Sequence, residues 1–152
     1  LYRVNNAGEF NSPFGNYRNP NIVNEPVLRA VNAYFNTAAV HFSCMDYAEV
    51  LVQIKKGTFV YLDPPYDPVS DTSSFTGYAK GGFSKDDQIR LRTCCDDLNR
   101  RGIKFMLSNS ATPFIIEQYA KYHITIVRAK RAINSVASKR GDVDEVVVRN
   151  YE

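Results

Sequence analysis

Apolar and polar positions change rhythm several times along the chain, and each change predicts an element. From Asn24 the spacing is helical: Val27, Val31, Tyr34 and Phe35 form one stripe, with Asn24 as N-cap and Glu25 and Pro26 in the first turn. Residues 38–43, Ala-Ala-Val-His-Phe-Ser, read as a strand, and Asp46 then opens a helix with Tyr47, Val50, Leu51 and Ile54 on one face. Gly57 precedes Phe59-Val60-Tyr61-Leu62, an aromatic and β-branched run that reads as a buried strand. A polar stretch over residues 67–83 follows, with Phe75, Tyr78 and Phe83 interspersed.

Ser84 with Asp87 three positions on makes a capping box with Asp in place of Glu, starting a helix through Leu91, Cys94, Cys95 and Leu98 that Gly102 ends. Both cysteines fall on its apolar stripe and read as packing. Residues 103–107 are the next strand, Thr112-Pro113 starts a helix containing Phe114, Ile115 and Tyr119, and residues 123–127 and 144–148 are strands expected to pair as an antiparallel hairpin. Ahead of all this, residues 1–17 carry a turn signal, Asn5 to Gly8, between short extended pieces, a β-hairpin candidate. The order β, α, β, loop, α, β, α, β, β predicts an α/β sheet.

Composition narrows the class. The 152 residues suffice for one domain with a core, and 44% hydrophobic with 23% charged residues is ordinary for a globular protein. No apolar run is long enough to span a bilayer and no signal peptide is visible; the odd number of cysteines, two of them adjacent, suits a reducing cytosol, so a cytoplasmic location is expected. The net charge of +3 is compatible with a polyanionic partner without demanding one. Three cysteines, Cys44, Cys94 and Cys95, make no even framework, and His41 and His123 lack cysteine partners at ligand spacing, so neither a disulfide scaffold nor a metal site is expected.

The chemistry concentrates at Asp63-Pro64-Pro65-Tyr66. Two successive prolines lack N–H groups and cannot continue a ladder, so the chain must leave the sheet at Asp63. That leaves a carboxylate, main-chain carbonyls and an aromatic ring at a strand's carboxyl end, where α/β sheets bind ligands. An exocyclic amine on a flat ring suits the set: Asp63 accepts one N–H, the Pro64 carbonyl accepts the other, and Tyr66 stacks on the ring. Two acceptors out of the ring plane would localise the nitrogen lone pair and make a poor nucleophile attack. The plainer alternatives are a turn chosen for loop chemistry or a proline-rich ligand segment.

The sequence Leu62-Asp63-Pro64-Pro65-Tyr66 resembles the catalytic motif of Dam-type adenine-N6 DNA methyltransferases, and the resemblance runs through nearly the whole chain. The pattern Tyr-Arg-Val-Asn-x-x-Gly-Glu-Phe-Asn-x-Pro-Phe-Gly-x-Tyr over residues 2–17 is similar to the end of that family's target-recognition region. The resemblance implies that Arg3 reads a guanine, that Leu1 and Tyr17 lie against neighbouring bases, and that Asn5 and Asn11, with Pro13 beside them, lie at the DNA backbone. Read from composition alone, the same stretch is a plain surface hairpin. Ala7 and Asn16 stand where basic residues are common in the family, which implies fewer phosphate contacts.

The fold implied is a partial Rossmann-like S-adenosylmethionine-dependent methyltransferase sheet, with residues 1–24 ending the recognition region as a β-hairpin and residues 25–152 forming the C-terminal part of the catalytic domain. The donor implied is S-adenosyl-L-methionine, contacted by Asp46, Tyr47 and Asp63. Asp46 is alternatively just a helix-start acid. Ser70 and Lys80 in the polar loop, and Lys139 and Arg140 in a basic loop with Asn134, Ser135 and Ser138, are implied DNA contacts, although such a loop is commonly only solvated. The family's glycine-rich cofactor turn is absent here and would lie upstream, so a missing N-terminal segment of the same enzyme is an implied partner. The function implied is methylation of a flipped adenine in double-stranded DNA, with GATC as target, as in restriction-modification or a solitary enzyme. The alternatives are a non-catalytic DNA-binding fragment and a methyltransferase for RNA or protein amides.

Overall fold

A computed structural model describes residues 5, 7–10, 18, 20–69, 82–130 and 142–152. The chain divides into two compact units, Leu1–Ser43 and Cys44–Glu152.

In the first unit, a turn closes where the Asn-Asn-Ala-Gly signal stands. The Gly8 N–H donates to the Asn5 carbonyl (2.9 Å), and Gly8 adopts φ +82°, a conformation a side chain would strain. Helix α1, Glu25–Thr37, starts at Asn24 with Pro26 in its first turn, as the pattern predicts, although Asn24 makes no side-chain cap bond. None of its residues is buried. Residues 38–43 form no strand, contrary to expectation. A β-rich sequence becomes a strand only against a hydrogen-bonding neighbour, and none of the described residues pairs with this segment. Its Phe42 is 76% exposed and meets only the edge of Phe35 at 5.0 Å among described rings.

The second unit is mixed α/β. It comprises α2 (Tyr47–Gln53), β1 (Phe59–Leu62), α3 (Lys85–Arg100), β2 (Lys104–Ser110), α4 (Pro113–Gln118), β3 (His123–Lys130) and β4 (Asp142–Arg149). The four strands lie in the order β1-β2-β4-β3. β1 and β2 are parallel, as a strand-helix-strand crossover requires, while β4 runs antiparallel between β2 and β3, so two of the three pairings are antiparallel. β3 and β4 are the anticipated hairpin.

The local signals explain the helix ends. Ser84 and Asp87 form the reciprocal capping box. At the other end the Ile103 N–H reaches the Leu98 carbonyl (2.9 Å) and the Gly102 N–H reaches Asn99 (3.0 Å), with Gly102 at φ +69°, a Schellman stop that starts β2 without slack. Arg101 donates to the carbonyls of Leu51 and Ile54, setting a cation against the acceptors at the end of α2.

Strand alternation sends Val60, Phe105, Leu107, Val146 and Val148 into the core, where Leu91, Cys95 and Leu98 of α3 and Ile115 and Tyr119 of the α4 region also lie. One expectation needs correction. β1 is not a buried strand: it is an edge of the described sheet, and Phe59 and Tyr61 are 54% and 57% exposed while Val60 between them is buried. Both adjacent cysteines pack as expected: Cys95 is fully buried, its thiol pushed up to about 12 by desolvation, and Cys94, about 100° round the helix, lies partly buried against the core.

Phe105 is fully buried and packs edge-on against Tyr122 at 5.1 Å. Phe105→Ala is expected to destabilise the protein by about 3–5 kcal/mol, read as a lowered midpoint in urea unfolding with an unchanged slope.

Candidate active site at the end of the first strand

β1 ends at Leu62, and the next residues are Asp63, Pro64 and Pro65. The register pairs Leu62 with Leu107, so Asp63 comes level with Ser108 at the carboxyl end of β2. Tyr61 and Asp63 are two apart on a strand and share a face. The consequence is a set of contacts on Ser108: its hydroxyl donates to Asp63 Oδ1 (2.9 Å), and the Tyr61 hydroxyl donates to Ser108 Oγ (3.2 Å).

With no N–H groups on the prolines, the segment is anchored by side chains. Gln88 of α3 donates to the Pro65 carbonyl (2.8 Å). Asn109 Oδ1 accepts from the Asp67 N–H (2.9 Å), and its amide nitrogen donates to Gln88 Oε1 (3.1 Å). Thr112, the N-cap of α4, donates to Asp67 Oδ2 (2.7 Å) while accepting from the Ile115 N–H. Asp67, Gln88, Asn109 and Thr112 are all buried, so each of these bonds satisfies a group that would otherwise cost about 1–3 kcal/mol unpaired. Among the described residues, no hydrogen bond reaches Asp63 Oδ2 or the Pro64 carbonyl.

Beside this segment lies a cavity of about 270 Å³ lined by Tyr47, Tyr61, Leu62, Asp63, Pro64, Pro65, Phe83 and Leu91. Its walls are apolar and aromatic, with one carboxylate. Tyr47 and Phe83 are 6.2 Å apart, and the Tyr47 hydroxyl donates to the Asp87 carbonyl (3.3 Å). The cavity thus fits a flat, partly apolar group with a hydrogen-bond donor or positive charge at one edge.

Asp46 sits just outside the lining. It N-caps α2 by accepting from the Ala48 N–H, and both its oxygens take a bidentate bond from Arg90 (2.8 and 2.9 Å). Arg90 also lies over the Tyr47 ring at 5.0 Å. The Arg90 bond, followed by that from Ala48, holds the Asp46 carboxyl below the usual range.

The sequence-derived candidates therefore separate. Asp63, Pro64, Pro65 and Tyr47 line one cavity, with Asp46 adjoining through Arg90. Tyr66 is half-buried and does not line the cavity; its phenol contacts Ser108, and burial holds its proton more tightly than water does. Asn5 spends its side chain within its own turn, accepting from the Ala7 and Glu9 N–H groups and donating to Glu9. Leu1, Arg3, Asn11, Pro13, Tyr17, Ser70, Lys80, Lys139 and Arg140 lie outside the described residues. No group of three or more potential metal ligands occurs among the described residues.

Sequence reasoning missed Ser108, Asn109 and Gln88. A signal existed for each: Gln88 occupies a place on the apolar stripe shared with Leu91, Cys95 and Leu98, and Ser108-Asn109 directly follows an apolar strand run.

Comparison with known proteins bears on this site. A family model described as D12 class N6 adenine-specific DNA methyltransferase matches residues 1–133. A type II methyltransferase of Lactococcus lactis subsp. cremoris is 40% identical over 99% of this chain and 53% of its own length. A type II methyltransferase of Methanocaldococcus jannaschii is 44% identical over 99% of this chain and 52% of its own. The DNA adenine methylase of Escherichia coli K12 is 33% identical over 97% and 52%. The chain spans about half the length of these curated relatives.

Because the Asp46 carboxyl is stabilised as an anion in the folded state, its ion pair contributes fully above the ordinary carboxylate pKa and is lost as pH falls through the lowered folded value. Arg90→Gln is expected to move the Asp46 titration upward toward the ordinary range, measured by carbon NMR of the side-chain carboxyl.

Proposed function

The chain belongs to the D12 class N6 adenine-specific DNA methyltransferase family, and from that premise we propose that the whole protein is a site-specific enzyme transferring a methyl group from S-adenosylmethionine to N6 of adenine in double-stranded DNA. The single observation that supports this most is the end of β1: a cavity-lining carboxylate followed by two prolines, with Asp63 Oδ2 and the Pro64 carbonyl left without described partners.

On this reading the target adenine leaves the stack, because its amine is out of reach inside the duplex. Asp63 and the Pro64 carbonyl each accept one of its N–H bonds, which orients the nitrogen lone pair toward the incoming carbon. Tyr66 lies alongside the ring. The proton released on methylation has Asp63 as the nearest acceptor. No metal is called for.

The donor supplies a methyl group on a positively charged sulfur. The residues present fit its nucleoside end: Tyr47, Phe83, Leu91 and Pro65 offer apolar and aromatic faces, and Asp63 offers negative charge near the sulfonium. Asp46 retains lone pairs beyond those that Arg90 uses, so it can still take a ribose or amine hydrogen at the cavity's edge. The remainder of the donor would be held by a glycine-rich turn in a segment upstream, which fits the relatives' double length. The parallel β1–β2 pair with α3 across it fits a part of a Rossmann-like sheet to which that segment adds strands.

Residues 1–24 are assigned to the target-recognition region, with the Asn5–Gly8 turn as the tip of a β-hairpin. There Arg3 reads a guanine, making GATC the proposed target, and Leu1, Asn5, Asn11, Pro13 and Tyr17 lie along bases and backbone. Ser70, Lys80, Lys139 and Arg140 add phosphate contacts. No helix among the described residues is long and apolar enough to cross a membrane, and a cytoplasmic location is proposed with the activity.

In the complete protein, Asp63→Ala is expected to lower methyl transfer to a GATC duplex by at least about 100-fold with DNA affinity retained. Tritium incorporation and gel-shift titration measure the two; unchanged turnover would remove Asp63 from the reaction, and a wild type that binds DNA without transferring methyl would indicate a DNA-binding module. Arg3→Ala is expected to cost about 1–3 kcal/mol of discrimination at the guanine, read by comparing kcat/KM on GATC and single-substitution duplexes.

A further inference from the structure

Asp63 carries the acceptor on which the proposed reaction turns, yet it is exposed, and a carboxylate's terminal torsion is broad. Left alone at a strand end, its two oxygens would exchange places and sweep over a wide arc. Something must fix the plane of the group before the amine arrives.

Ser108 is placed to do so. It is 7% exposed, at the carboxyl end of β2, which is held by β1 on one side and β4 on the other, with Ser108 itself paired to Val147. Its hydroxyl is 2.9 Å from Asp63 Oδ1 and 3.2 Å from the Tyr61 hydroxyl. The proton arrangement follows from the chemistry of the three groups. An ionised carboxylate only accepts, so the single Ser108 proton goes to Asp63. Ser108 Oγ can then only accept from Tyr61, whose one proton is thereby committed. The chain has one direction, from phenol to hydroxyl to carboxylate, and it ends on one chosen oxygen.

We propose that Ser108, itself oriented by Tyr61, is a positioning residue that takes up Asp63 Oδ1 and so presents Oδ2 to the target amine. The inference rests on the methyltransferase reading and adds to it the group that selects which carboxylate oxygen acts. The tandem prolines make such a side-chain clamp necessary, because the ladder that would otherwise hold residue 63 in register ends there.

The test uses the complete protein with wild type, Ser108→Ala, Ser108→Thr and Tyr61→Phe. Ser108→Ala is expected to lower kcat by about 10–100-fold with KM for DNA and donor within about twofold of wild type, as misplacement of a reacting group does. Ser108→Thr, which keeps the hydroxyl on a strand-compatible side chain, is expected to regain most of the rate. A readout independent of turnover is the affinity ratio for duplexes carrying deoxyadenosine or 2′-deoxynebularine, which lacks the 6-amino group, at the target position. Wild type and Ser108→Thr should prefer adenine, and Ser108→Ala should lose that preference.

Should Ser108→Ala not fold, Tyr61→Phe at an exposed strand position carries the same measurement, with a severalfold fall in kcat at constant KM. Wild-type kcat and adenine preference in Ser108→Ala, or in Tyr61→Phe when that variant stands in for it, overturn the proposal while leaving the methyltransferase reading intact. A loss that Ser108→Thr does not restore and that tracks melting temperature also overturns it. A wild type that methylates no adenine removes both.

Discussion

Two successive prolines after Asp63 withdraw the N–H groups with which the chain would extend its parallel ladder, and the neighbourhood is arranged around that loss. Ser108 holds the carboxylate, Gln88 holds the Pro65 carbonyl, Asn109 takes the Asp67 N–H, and Thr112 takes the Asp67 side chain. The backbone bonds a strand would have made are replaced by side-chain bonds from β2, α3 and the start of α4. Three elements thus fix a segment that has no ladder of its own. The outcome is a side-chain-held exit with some acceptors consumed and others left over, the arrangement on which the proposed orientation of a weakly nucleophilic amine relies.

The wall facing this segment uses different physics. Tyr47 is held by a hydroxyl bond to the Asp87 carbonyl and by Arg90 over its ring, and Arg90 is in turn locked by both oxygens of Asp46. One acid thus starts α2, anchors an arginine from α3 and steadies an aromatic side of the cavity. The capping box at Ser84 sets where α3 begins, and so where Gln88, Arg90 and Leu91 present themselves. Strand-end chemistry and helix-end chemistry meet in the same small volume because α2 and α3 both start beside it.

Much of this could be read from local residue order. The capping box, the Gly102 stop, the Thr112-Pro113 start and the Asp46 N-cap are short-range devices whose partners lie within a few residues, and each occurs where the pattern placed it. The β3–β4 hairpin followed from two apolar runs with no helix between them. The failures have a common cause. Residues 38–43 have strand composition, but pairing depends on a neighbour that composition does not supply. Phe59-Val60-Tyr61-Leu62 looks buried as a run, yet its alternation sends Phe59 and Tyr61 to a face that the described residues leave open. The surroundings of Tyr66, whose phenol lies near Ser108 of β2, were likewise set by no local signal.

By itself, the order of residues determined that a strand must end at Asp63, that a carboxylate and unencumbered carbonyls would stand at its carboxyl edge, and which family the motif resembles, because proline's missing N–H and fixed φ act within one or two residues. Only the tertiary structure decided which side chains hold that edge. Ser108, Asn109 and Gln88 are 45, 42 and 23 residues from their partners in the segment. Their roles exist because the parallel β1–β2 register sets Leu62 beside Leu107 and because α3 crosses back over the sheet. A hydrogen bond depends on distance in space, and sequence separation carries that distance only where the backbone is local.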